Sequence, residues 1–482
     1  MMILALIAIA AVAIHGYHLG ADDAAIYIPG IKKAADPTLF PSGAEFFMSH
    51  AHLSLFANIV GGSARLTRAP MDLAIFAWHF ACILLLLVAC RRLLSLCFVT
   101  ERARWAGIAV VAGALSVPVA GTALVIMDPY LTARSLSTPM TVFAVASCAA
   151  GQWKRALLWV LATALIHPQM AAYGAAFVAI YGAAKACESV SSAIPQAGPV
   201  FYAGAPLLLT FEAPSGPARE ALLSRTYFFV FTWTWYEWVG VFAPLAILWW
   251  FSKRVRRNTT PAFIAICRAL VPLALLATAA AVFLELSPRL ENFARLQPMR
   301  ALHIVYVVFF ALFGAVLGEY ALKDSVLRWA LLFTCLAASM CAVQLAAYPE
   351  SAHVEWPGTS ARNPWISAFL WIRSNTPKNA LFALDPRYML SPGEDEHGFR
   401  AIAERSALAD EVKDSGAASL FPSLADEWKS EVVAEDRDFA ARDFRELAKD
   451  YHVNWVVTMR PLPAGLRCPY RNDEVLVCRV SR

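Results

Sequence analysis

The chain has 482 residues, of which 59% are hydrophobic and only 16% charged, and its mean hydropathy is +0.53. That balance lies beyond the range of soluble domains and specifies a polytopic membrane protein. The net charge of +5 is scattered, with no basic tract interleaved with aromatics, so nucleic acid is excluded as a partner.

A transmembrane helix needs about 20 apolar residues, and fewer where it is re-entrant or borders a water-filled cleft. By that measure about eleven spans are expected, near 1–14, 71–90, 106–127, 139–153, 156–167, 170–184, 199–211, 228–251, 262–284, 301–320 and 329–347. The first segment has a second reading as a cleaved signal peptide, although no basic region precedes it. Orientation follows from Lys and Arg near span ends, which stay cytoplasmic. Arg91, Arg92, Arg102 and Arg104, then Lys154 and Arg155, then Lys253, Arg254, Arg256 and Arg257, then Lys323 and Arg328 all fall on one side if His167-Pro168-Gln169 is an outer turn between two short helices. With a cytoplasmic amino terminus, the loops at 15–69, 128–138, 212–227 and 285–300 share the outer face with everything after residue 347.

The chain therefore divides into a membrane bundle, 1–347, and a polar carboxyl-terminal part, 348–482, read as a small extracytoplasmic α/β domain. Ala380 to Asp385 is a predicted strand ending in the Asp385-Pro386 turn. Phe439 to Lys449 has helical spacing, and Asn454 to Met459 and Glu474 to Val480 are Val-rich strand candidates. Eight of the ten cysteines lie in or beside apolar spans, where a thiol acts as a small hydrophobe. Cys468 and Cys478 flank a turn-like stretch, Arg471 to Glu474, and would face each other across a hairpin. An outer compartment favours a disulfide between them over two free thiols.

The candidate chemistry lies on the outer face. Asp22 and Asp23 follow the first span, beside His15, His18 and Tyr27. Acids at a membrane boundary face water or line a functional cavity, while the alternative is that they cap the next helix. In Asp128 to Pro139, Arg134 can present a planar fork to a lipid phosphate, and Pro139 is placed to start the next helix. Arg300 and His303 stand at the outer end of another span. Each Arg alone also reads as an interfacial anchor; on one face with an acidic pair they form a constellation. His50-Ala51-His52 with Asp22 or Asp23 offers imidazole and carboxylate ligands of the kind a divalent metal takes. Because the i, i+2 spacing aligns two rings only on a strand and this stretch reads as a helix start, no metal or other cofactor is expected there. Trp233, Trp235, Tyr236 and Trp238 read as an aromatic belt rather than a sugar platform. Glu237 sits among them, and Glu285 and Glu291 read as solvated.

The stretches DDAAIYIPG (22–30), MDPYLTARSLSTP (127–139) and HPQMAAY (167–173) resemble a bacterial family of large membrane proteins with no assigned activity. The layout of many spans, an acidic motif in the first outer loop and a soluble part at the carboxyl end also resembles the GT-C class of membrane glycosyltransferases. That resemblance implies a GT-C-like bundle in a bacterial cytoplasmic membrane and a sugar moved from a polyprenyl-phosphate donor to an acceptor outside. It also implies that Asp23 is the catalytic base, that Asp22 orients or substitutes for it, and that Arg134 and Arg300 hold the leaving phosphate. Tyr27, His167 and His303 are further substrate-binding candidates. Two other classes stay open: a transporter or flippase for a lipid-linked or small polar substrate, suggested by the short helices at His167-Pro168, and a non-catalytic envelope protein.

Overall fold

A computed structural model describes residues 1–189, 213–463 and 465–480. The span expected at 199–211 lies outside the described residues. The chain is a helical membrane protein with a small sheet near its carboxyl end. Among the described residues, four helices are long and apolar enough to cross a membrane: Met71–Cys97, Pro261–Glu285, Pro288–Leu322 and Val326–Ala347. Met2–His15 is apolar but shorter. The expected count of about eleven is therefore not reached among the described residues.

The difference has physical causes that hydropathy alone does not register. The segment expected to span at 106–127 is helical only as Glu101–Gly113. Pro118 lacks an amide donor and clashes with a preceding carbonyl in a helix, and the chain instead folds into a tight return in which Val119 N donates to Leu124 O at 2.7 Å. That return delivers Asp128 to the site described below. The expected span at 228–251 starts late, because two single 3₁₀ turns precede the Trp235–Arg254 helix. Pro139 does not start its helix. A capping box between Thr132 and Ser135 opens the Ala133–Ala149 helix earlier, so Arg134 lies in its first turn. The 15–69 loop contains three helices, Ala24–Ala35, Glu45–Ala51 and Phe56–Thr67. Trp153–Ile166 and Pro168–Ser189 are separate helices meeting at His167.

The carboxyl-terminal sheet has five strands: β1 (Leu381–Ala383), β2 (Ser406–Ala407), β3 (Trp455–Met459), β4 (Arg467–Arg471) and β5 (Val475–Arg479). Their order is β2-β1-β3-β5-β4, with β2-β1 and β1-β3 parallel and the other pairs antiparallel. Cys468 and Cys478 are disulfide-bonded between β4 and β5. The expected helix at Phe439 to Lys449 is two helices, Ala425–Ala441 and Arg445–Asp450. Arg442 turns left-handed between them, and buried Asp438 accepts the amide of Leu447 at 3.2 Å, satisfying a donor of the second helix.

One hydrophobic core crosses residue 347. Ala24, Ile28, Ile31, Tyr130 and Leu136 pack in the same cluster as Trp365, Phe369, Phe382, Phe399 and Val477. Gly398 marks the closest approach: a Cβ there would lie 2.3 Å from the Cβ of Ala25. Burying large aromatics across this boundary, at about 1.5–3 kcal/mol per side chain, fixes the polar segment against the helix that follows the acidic pair.

Candidate active site

The acidic pair is held by backbone contacts that join the first outer segment to the carboxyl-terminal part. Tyr17 N donates to His353 O at 3.0 Å, Asp22 N to Glu396 O at 2.8 Å, and Gly398 N to Gly20 O at 2.9 Å. Asp22 adopts a left-handed conformation, φ 48°, which Asp tolerates better than most residues. The Ala24–Ala35 helix begins directly after Asp23, yet Asp23 makes no side-chain hydrogen bond to its amides. Capping does not explain the pair.

Both carboxylates instead face cations. Arg134 Nη2 donates to Asp23 Oδ2 at 3.3 Å and to Asp128 Oδ2 at 2.7 Å. Lys413 pairs with Asp22 and stands 3.9 Å from Asp23 Oδ1. The Tyr130 hydroxyl donates to Asp22 Oδ2 at 2.6 Å. Asp23, Tyr27, His50, Arg134, Arg300 and Lys413 line one small cavity of about 60 Å³, with Arg225 and Tyr227 at its wall. The Arg300 guanidinium lies over the Tyr227 ring at 5.3 Å, and its Nε has no hydrogen-bond partner.

The charges divide unevenly. Burial pushes the Asp23 carboxyl up, but Lys413, then Arg134 and Arg300, outweigh it and hold the group well below the usual carboxylate range. Asp128 is nearer Arg134 but more deeply buried. Its burial, opposed by Arg134 and reinforced by Asp23 and Asp22, raises it to about 6. For Lys413, burial works against the charge while Asp22 and Asp23 more than restore it, leaving the ammonium firmly protonated. Burial lowers His50 to about 4, so the imidazole is neutral at pH 7.

The structure thus brings together Asp22, Asp23, Tyr27, Arg134 and Arg300. His167 and His303 are outside the lining of this cavity: His303 is buried with its Nε2 3.0 Å from Ile126 O, and His167 stands at the junction of two helices. His50 and His52 do not form a pair. His50 faces the cavity while His52 is exposed, as the short Glu45–Ala51 helix dictates. Glu285 accepts the amides of Val230 and Phe231, and Glu291 pairs with Arg219 at 3.0 Å, so neither is simply solvated. Glu237 caps its own helix through Thr234. The important omission from sequence reasoning is Lys413, which reaches the pair from 390 residues away with no local motif to announce it. Asp128 lay in a stretch already singled out and was not given a role.

No protein-family model and no curated protein matches the chain. Among solved structures it is similar to the archaeal oligosaccharyltransferase AglB from Archaeoglobus fulgidus, determined in complex with an inhibitory peptide and a dolichol-phosphate. The identity is 12% and the TM-score 0.39, covering 95% of this chain and 69% of that one.

Proposed function

We propose that the protein is a membrane glycosyltransferase that moves a sugar from a polyprenyl-phosphate donor to an acceptor hydroxyl on the outer side of the membrane. The observation that carries this reading is the meeting of an ionised carboxylate, Asp23, with three cationic side chains, Arg134, Arg300 and Lys413, around one cavity. A carboxylate that stays ionised is free to accept a proton and gains basicity when its cationic partners turn to a substrate phosphate, and clustered cations are suited to charge growing on a departing phosphate.

In the proposed reaction the acceptor oxygen attacks the anomeric carbon while Asp23 takes its proton. The bond between that carbon and the phosphate oxygen breaks, and the electron pair leaves with the polyprenyl phosphate. Arg134, Arg300 and Lys413 offset the charge that develops there, and Asp22, fixed by the Tyr130 hydroxyl, holds Lys413 beside the cavity until the donor arrives. The resting cavity of about 60 Å³ admits water but not a sugar, since ligand pockets run to about 300–1,000 Å³. Donor entry therefore requires the cavity wall to open, a wall that includes Gly416, Ser419 and Leu420 on one side and Tyr227 and Phe228 on another. A phosphate that draws Arg134 and Lys413 toward itself also frees Asp23 from its ion pairs, raising its basicity as the substrate arrives.

Photoreactive polyprenyl-phosphate sugar added to membranes tests the donor site. Labelling of the wild type, competed by unlabelled donor and strongly reduced in Arg300→Ala, is expected. Labelling that survives loss of Arg300 and maps away from the cavity contradicts this placement of the donor.

A further inference from the structure

His18, Glu355 and His397 meet outside the cavity just described. His18 Nδ1 lies 3.1 Å from Glu355 Oε1, and His397 Nε2 lies 2.8 Å from the same oxygen. The three candidate ligand atoms all lie within 4.8 Å of one another. Both imidazoles are fully buried, and the Glu355 side chain is 14% exposed. They come from three distant segments, so their convergence is a product of the tertiary fold.

Each group is oriented by a second contact. His397 Nδ1 stands 3.1 Å from Glu394 O, a carbonyl that can only accept. Nδ1 therefore carries the proton, and in the neutral ring Nε2 presents a lone pair to Glu355 Oε1. Two acceptors 2.8 Å apart need a proton or a metal cation between them. Glu355 Oε2 accepts Leu19 N at 2.8 Å, which leaves Oε1 turned toward both imidazoles. The His18 ring stacks on Tyr348 with centroids 3.8 Å apart, and this fixes its plane. A backbone carbonyl on the second nitrogen is the usual support of a metal-bound imidazole. In a tetrahedral zinc centre with bonds near 2.0–2.1 Å, neighbouring ligand atoms are roughly 3.3 Å apart, within about half an ångström of the two imidazole-to-Glu355 distances, while the two imidazole nitrogens lie within 4.8 Å of each other. Glu355 also borders a separate pocket of about 600 Å³ lined by Asp72, Trp356, Arg362 and Asn363, so the site is approached from solvent on the Glu355 side.

We propose that His18, Glu355 and His397 form a divalent-cation site of the zinc type, with two imidazoles, one carboxylate and an open position facing the 600 Å³ pocket. The site ties the segment preceding the acidic pair to the carboxyl-terminal part. His397 is bridged by its backbone to Ala21, next to Asp22, so a bound ion pins the loop that presents Asp22 and Asp23. None of the three ligands lines the Asp23 cavity, so ion binding is measured without reference to the transfer reaction.

The test uses the full-length protein in detergent, stripped with chelator and titrated with Co²⁺. The expected result is one equivalent bound with the visible absorption of a tetrahedral cobalt centre, displaced by Zn²⁺. Glu355→Gln replaces an anionic ligand with a neutral amide and should weaken Co²⁺ binding at least about tenfold, with its melting temperature recorded alongside to separate loss of the ion from loss of the fold. His18→Gln/His397→Gln should abolish it. Absence of the cobalt spectrum in the wild type, or an unchanged spectrum and stoichiometry in the double variant, overturns the proposal.

Discussion

Asp23 is defined by its neighbours more than by its own chemistry. Arg134 is buried between two carboxylates, and removing one member of such a group leaves charges unpaired at a cost of about 3–5 kcal/mol. Arg134→Ala is therefore expected to destabilise the protein as well as weaken donor binding, seen as a lower melting temperature and a higher KM. Lys413→Met should act differently. It removes the largest of the charges that depress Asp23, so the Asp23 carboxyl rises toward the ordinary range near 4. A base works when deprotonated; the acid limb of the rate profile should move upward in pH in Lys413→Met, and an unmoved limb would show that Lys413 does not tune the base. At this scale the sequence was legible where chemistry is local. The acidic pair and Arg134 stand in short polar stretches among apolar spans, whereas Lys413 is one ordinary lysine in a polar region and reaches Asp22 through the fold alone.

At the scale of elements, the sequence was legible where one periodicity ran unbroken, as in Met71–Cys97 and Pro261–Glu285, and in the Val-rich β3 and β5. It misled where a few residues ended an otherwise apolar run, as at Pro118, or where a capping box at Thr132 moved a helix start ahead of Pro139. The Ala425–Ala441 helix adds a testable pH effect. Burial raises Glu431 to about 7 and, with the neighbouring Glu431 charge, raises Glu435 well above the usual carboxylate value. For acids raised in the folded state, the folded protein binds more protons than the unfolded one. Their contribution is therefore most favourable below the unfolded value, near 4.3, and is lost as pH rises toward about 7. Glu435→Gln should stabilise the protein at pH 8 by about 1 kcal/mol or more and much less at pH 5, read as the difference in melting temperature. Gly398→Val tests the docking of this part on the Ala24–Ala35 helix. Its Cβ has no room beside Ala25, so the variant should expose the acidic loop to proteolysis, while equal resistance would show that this contact does not hold it.

For the whole molecule, composition was sufficient to specify a helical membrane protein, because apolar content sets the solvent a chain requires. It was insufficient to number the spans, since packing decides which apolar segments cross and which turn back. It also gave no sign that one core joins the residues before and after 347, because a core is a three-dimensional adjacency. The proposed topology predicts that a carboxyl-terminal reporter active only outside the cytoplasm is active, and that the same reporter placed after Arg257 is silent. The opposite pattern would put the Asp23 cavity on the cytoplasmic face. The central claim is that Asp23 is the base of a transfer reaction from a lipid-linked sugar. It is tested most directly by radiolabelled transfer from polyprenyl-phosphate donors in membranes containing wild type or Asp23→Asn at matched abundance. The account predicts transfer by the wild type and a loss on the order of 10²- to 10⁴-fold in Asp23→Asn; equal transfer by the two proteins would contradict it.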